Sequence, residues 1–245
     1  SSSGLTASRS WLMLSTMSDV TLCECFARDG LQHEPAFVPT ATKRALVERF
    51  AAIGFPRVEA TSYSNPKVVP QFSDASDLLR SLPRSPGVFY KATCANTKAV
   101  QRAIQDLDAG CGVNEISLLA SATESHSLKN LKRSRAEQWA NIEEMVQTAG
   151  GRFRLVGTVS VAFGCPFEGK VDSESVLHDV ARFGSLGVQH VAIGDTTGVA
   201  TPRCANATAP VPAASATMTR HAATSLREVR SARPAGSDHH AASPT

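Results

Sequence analysis

The chain has 245 residues, 42% of them hydrophobic and 19% charged, with 25 basic side chains against 22 acidic ones and a net charge of +3. This is ordinary globular usage with room for one large core. The charge balance argues against a nucleic-acid partner, and no apolar run reaches the ~18 residues of a membrane span. Six cysteines in that length are too sparse for a disulfide scaffold.

Residues 1–18, SSSGLTASRSWLMLSTMS, are polar and serine-rich with one short apolar patch. They lack the longer apolar stretch and small-residue cleavage site of a signal peptide. One Arg, no acid and several Ser give a faint likeness to an organelle transit segment. The reading adopted is a disordered upstream extension ahead of Met17. The cytoplasm is the expected compartment, with the mitochondrion as alternative.

Between 19 and 203, short β-rich runs alternate with longer amphipathic ones. The strands expected are VTLCECF (20–26), RVEATS (57–62), GVFYKAT (87–93), NEISLLA (114–120), FRLVGTVSVA (153–162) and HVAIGD (190–195). Helices are expected over 41–54, 97–110, 134–151 and 172–187, each closed by a glycine. Ser134 and Glu137 match a capping box. Strand ends recur about every 34 residues, close to the ~31 per unit of an eight-fold barrel of about 250 residues. A helix between consecutive strands implies a parallel sheet with right-handed crossovers. A barrel and an open doubly wound sheet both fit, but no G-x-G-x-x-G follows the first strand, which disfavours dinucleotide binding.

Residues 204–245 differ. They hold 12 Ala, and only Val211, Met218, Leu226 and Val229 as larger aliphatic residues. Such a segment buries too little apolar surface to offset its ordering entropy and reads as a disordered tail. The expected division is thus 1–18 extension, 19–203 partial barrel and 204–245 tail.

In a parallel βα fold, chemistry sits past the C-terminal ends of the strands. The first strand ends in Ala27-Arg28-Asp29-Gly30-Leu31-Gln32. Asp29 suits a hard divalent cation, and Arg28 suits a carboxylate or enolate oxygen; a structural ion pair is the alternative. Glu59 on the second strand is costly to bury unless paired, and Arg28, one strand over, is the expected partner. The fifth strand ends in Gly164-Cys165-Pro166-Phe167-Glu168-Gly169. Cys165 is not read as a nucleophile, since no His lies near it in sequence. The sixth ends in Gly194-Asp195-Thr196-Thr197-Gly198, another acid with two hydroxyls. His33, His126, His178 and His190 have no metal-ligand spacing. Cys23 and Cys25 share a strand face and read as core, and Cys94 and Cys111 as buried packing.

Together these strand ends resemble the hydroxymethylglutaryl-CoA lyase family. The likeness lies in ARDGLQHE (27–34), VEATSYSNPKVVPQFSD (58–74), VSVAFGCPFEGKV (159–171) and IGDTTGVATP (193–202). It implies a (β/α)8 barrel using Mg2+ or Mn2+ that cleaves 3-hydroxy-3-methylglutaryl-CoA to acetyl-CoA and acetoacetate. On that resemblance Asp29 is a metal ligand, and Arg28 and Glu59 are catalytic. Arg28, Gln32, Asp195 and Thr196 contact substrate. The basic run 129–135 reads as a solvated helix entry, with CoA phosphates as its other use.

The resemblance stops near Pro202-Arg203, before the family's His-x-His strand and Cys-bearing loop. The expectation is therefore an incomplete α/β barrel of about six strands, ended by a shifted reading frame or gene end and impaired in activity. An incomplete barrel also argues against the homo-oligomer that the family suggests. Two other readings are a related metal-dependent aldolase or acyltransferase, against which 58–74 and 159–171 speak, and a non-catalytic interaction protein.

Overall fold

The computed structural model describes residues 21–201, so the expected extension at 1–18 and tail at 204–245 lie outside the described residues. Six strands form one sheet: β1 (Cys23–Glu24), β2 (Arg57–Ser62), β3 (Phe89–Cys94), β4 (Glu115–Ser121), β5 (Arg154–Ser160) and β6 (His190–Ile193). Every neighbouring pair is parallel, and the spatial order is the sequence order. A doubly wound sheet reverses its strand order at a switch point. Here there is no reversal, so right-handed crossovers place every helix on one face and the sheet curls as part of a barrel. This is the incomplete α/β barrel expected.

The crossovers are α1 (Thr40–Ile53), α2 (Ala75–Ser81), α3 (Thr97–Asp108), α4 (Glu124–His126) with α5 (Arg135–Ala149), and α6 (Ser173–Ser185). Glycine closure holds at Gly54, which ends α1 with φ 105°, a conformation that a side chain disfavours. Ser134 and Glu137 form the expected capping box at the start of α5. Asn96 caps α3 by accepting Ala99 N–H at 2.9 Å.

Side chains alternate along each strand, and the two faces differ in chemistry. Val58, Ala92, Ile116 and Leu118 are buried in the core shared with the helices. Gly157 turns to α6, where a methyl group would stand 2.6 Å from the Phe183 ring. The other face carries Arg57, Glu59, Lys91, Glu115 and Arg154. At its base Arg57 hydrogen-bonds the wholly buried Glu115 carboxylate, and Arg154 Nε lies 3.4 Å from its other oxygen.

Three departures from the sequence reading have local causes. The first strand keeps only two residues, because the Cys25 carbonyl accepts Arg28 N–H at 3.0 Å and Asp29 N–H at 2.7 Å. The chain therefore winds into a π-helical turn over Phe26–Gly30. Helix α2 and a 3-10 turn at Pro70–Phe72 fill a segment without helical periodicity. A π-helical turn at Ser127–Leu131 follows α4, so part of the basic run is itself helical.

Candidate active site

The turn after β1 and the strand β2 bring Arg28 and Glu59 together. Arg28 Nε donates to Glu59 Oε1 at 2.9 Å, and Nη2 to Oε2 at 3.2 Å. The same guanidinium reaches outward, with Nη1 at 2.7 Å from Asp29 Oδ1 and 3.4 Å from Gln32 Oε1. Of the five guanidinium N–H groups, this leaves one on Nη2 for a ligand oxygen. Arg28, Asp29, Gln32 and Glu59 therefore form one hydrogen-bonded group.

Glu59 is fully buried. Burial by itself raises a carboxyl pKa. The Lys91 and Arg28 charges, with hydrogen bonds from Arg28 and Thr93, more than offset it and hold Glu59 below the ordinary carboxylate range. Lys91 Nζ stands 3.3 Å from Oε2, and the Thr93 hydroxyl donates to Oε1. Burial also weighs against the Arg28 charge, but the pairing with Glu59 and Asp29 leaves its pKa raised. Both partners stay ionised at neutral pH.

Sequence reasoning missed Lys91 and Thr93. Their signal is a charged and a hydroxyl residue two apart inside the apolar run of β3, opposite Glu59 in register. A bulge between Glu59 and Thr61 then sets Ser62 opposite Thr93.

The rim is tied down by Lys43 of α1 together with the motif residues Gln71 and Asp74. Lys43, itself buried, bonds the Gln71 carbonyl and lies 2.8 Å from Asp74 Oδ1. Gln71 Nε2 donates to the Glu34 and Ala36 carbonyls at 2.5 and 3.0 Å. The loops after β1 and β2 are thereby stitched together beside a cavity of about 270 Å3 lined by Gln32, His33, Val68 and Gln71. A second cavity, about 420 Å3, opens between the loops after β5 and β6, lined by Phe163, Cys165, Lys170, Thr197 and Val199.

Asp195 and Thr196 follow β6, five strands along the sheet from β1, and are engaged in local hydrogen bonds. The Asp195 carboxylate accepts Val199 N–H at 3.0 Å and Ala200 N–H at 3.1 Å. Thr196 Oγ1 accepts Val161 N–H at 2.8 Å. Val161 holds φ 53°, a left-handed conformation that a β-branched residue rarely adopts. Cys165 is buried, and its sulfur accepts from the Thr123 hydroxyl at 3.1 Å. Cys94 and Cys111 are buried as expected; Cys23 and Cys25 are only half-buried.

Among the described residues, no group of three or more His, Cys, Asp or Glu converges on a point that would hold a metal ion. Asp29 is one exposed carboxylate, already paired with Arg28. These residues do not by themselves fit a divalent centre.

The fold and the ionised pair at its C-terminal rim define the class: a βα-barrel protein with a carboxylate-paired arginine where such folds carry chemistry. The HMGL-like family model matches residues 19–221, and the chain belongs to that family. It is 36% identical over 184 residues to the mitochondrial hydroxymethylglutaryl-CoA lyase of Rattus norvegicus, covering 75% of this chain and 55% of the relative. It is 37% identical over 183 residues to the cytoplasmic 3-hydroxy-3-methylglutaryl-CoA lyase of Danio rerio, covering 74% and 53%. The chain thus spans about half the length of the curated relatives it matches. Among solved structures, an HMG-CoA lyase from Acenitobacter baumannii in complex with coenzyme A and 3-methylmalate superposes with TM-score 0.73 at 34% identity, covering 77% of this chain and 60% of that one. The Brucella melitensis HMG-CoA lyase gives TM-score 0.72 at 35% identity, covering 77% and 65%.

Proposed function

We propose that the chain serves a carbon–carbon lyase reaction of the HMG-CoA lyase type, cleaving 3-hydroxy-3-methylglutaryl-CoA to acetyl-CoA and acetoacetate. The observation that carries this reading is the two-point hold of buried Glu59 on Arg28. It fixes a guanidinium whose remaining N–H meets developing negative charge. In a retro-Claisen-type cleavage the 3-hydroxyl loses its proton, the carbon–carbon bond breaks, and acetyl-CoA leaves as its enolate. Arg28 would stabilise that enolate oxygen, an electrostatic role worth several kcal/mol in related chemistries. Glu59 would keep Arg28 aimed, and Gln32 would line the substrate. Asp195 and Thr196, on the loop after β6, remain proposed substrate contacts.

The family resemblance brings with it a divalent cation, Mg2+ or Mn2+, with Asp29 as one ligand. The described residues supply too few donors to derive a step through it. Acyl-CoA as substrate is supported by the coenzyme A bound in the Acenitobacter baumannii relative. Exposed Lys129 and Lys132 are candidates for the CoA phosphates. No described helix is long and apolar enough to cross a membrane. The relatives include mitochondrial and cytoplasmic forms, and the cytoplasm remains the proposed compartment.

The test is acetoacetate release from the CoA ester with Mn2+, alongside calorimetric binding of 3-methylmalate with coenzyme A. We expect turnover well below that of the longer relatives, and ligand binding weakened at least tenfold in Arg28→Met. Turnover near the relatives' rate would overturn the expected impairment. Binding indifferent to Arg28, or condensation of acetyl-CoA with a 2-oxo acid in place of cleavage, would overturn the lyase reading.

A further inference from the structure

Two cysteines at the base of the Arg28 turn have no part in the chemistry above. Cys23 lies on β1 and Cys25 immediately precedes the turn. Their spacing of two sends both thiols to one side of the chain, and the two Sγ atoms stand 3.8 Å apart. Both are half-buried, whereas Cys94, Cys111 and Cys165 are buried. Lys91 from β3 and Arg57 and Glu59 from β2 face the pair. The hydrogen bond from the Cys25 thiol does most to favour the Cys23 thiolate. Burial and Glu59 oppose it, the Lys91 and Arg57 charges support it, and the Cys23 pKa comes down to about 7. The same hydrogen bond, with burial, pushes the Cys25 thiol up. The two sulfurs are thus close enough for a thiolate on one to have the other thiol beside it.

We propose that Cys23 and Cys25 are a reversible dithiol–disulfide pair that exchanges with low-molecular-weight disulfides of the glutathione class. The Cys23 thiolate, its proton lost to solvent, attacks one sulfur of the small disulfide. A mixed disulfide forms on Cys23 and the first small thiolate leaves. Cys25 then attacks the Cys23 sulfur, closes the Cys23–Cys25 bond and expels the second small thiolate, which takes up the Cys25 proton. The protein loses two electrons and two protons, and the small disulfide is reduced to two thiols.

Closure must draw the sulfurs from 3.8 Å to the ~2.05 Å of a disulfide. The Cys25 carbonyl is the acceptor for both Arg28 N–H and Asp29 N–H, so the residue displaced by closure is the one from which the Arg28 turn hangs. Oxidation therefore shifts Arg28 on Glu59, and on the function proposed above it lowers ligand binding.

The reduced full chain is incubated with oxidised glutathione at neutral pH, free thiols are blocked, and the peptide containing residues 23–25 is weighed by mass spectrometry. The expected peptide lacks two hydrogen atoms, carries no adduct and regains both thiols with dithiothreitol. Cys25→Ser should trap glutathione on Cys23, because no second thiol remains beside it to displace the adduct. A wild-type peptide that keeps both thiols, or that holds a glutathione adduct, overturns the proposal. The readout needs no turnover, so its failure and failure of the lyase reading are separate results.

Discussion

A buried carboxylate costs several kcal/mol unless its charge and lone pairs are met, and Glu59 meets them with Arg28, Lys91 and Thr93. Arg28→Met should therefore destabilise the fold by about 2–3 kcal/mol in urea unfolding, somewhat under the loss expected for a pair broken outright, because Lys91 remains. Arg28→Lys should recover only part of this, since an ammonium cannot make the two-point contact. The pH dependence has a definite sign. Glu59 is depressed in the folded protein, so its contribution is complete above the unfolded carboxyl value of about 4.3 and is lost as pH falls through the folded value. The stability gap between wild type and Glu59→Gln should be wide at neutral pH, begin to shrink below the unfolded carboxyl value of about 4.3, and keep shrinking with further acidification. A gap that stays constant through acid unfolding would contradict this account.

The elements form where local signals and packing agree. Helix α6 was legible from its apolar spacing, but its fit on β5 depends on Gly157, which lets the Phe183 ring approach the strand. Gly157→Ala should cost about 1–3 kcal/mol through overpacking, and a neutral effect in thermal unfolding would mean that α6 yields. The first strand shows the opposite case. Its run VTLCECF, through Phe26, reads as strand, since short runs have ambiguous period. The carbonyl of Cys25 decides against it by capturing two amides of the next turn. Helix α2 has only seven residues, too few for periodicity to emerge, and depends on Leu78 and Leu79 packing into the core.

At the scale of the molecule, strand order makes the fold a curled sheet with its polar face inside. That face carries the Glu59 group near the rim and the Arg57–Glu115–Arg154 group at the base. The rim is where a metal would be expected, yet Asp29 is the one described carboxylate there that the family pattern assigns to it. Mn2+ titration followed by electron paramagnetic resonance should show weak binding that Asp29→Asn removes. Tight stoichiometric binding would mean that other residues complete the centre.

The sequence by itself determined the alternation of strands and helices and the family, and it named Arg28, Asp29, Gln32 and Glu59 as candidate site residues. These are set by period, by turn residues and by motifs that are contiguous along the chain. Only the tertiary structure decided that Lys91 and Thr93 join Glu59, and that Asp195 and Thr196 bond to neighbouring loop amides. It also set Cys23 beside Cys25 below the turn. Which face of a strand is enclosed, and which neighbour meets it, depends on register and on the curl of the sheet. Those arise from strand pairing between segments some 30 residues apart, beyond the reach of any local pattern.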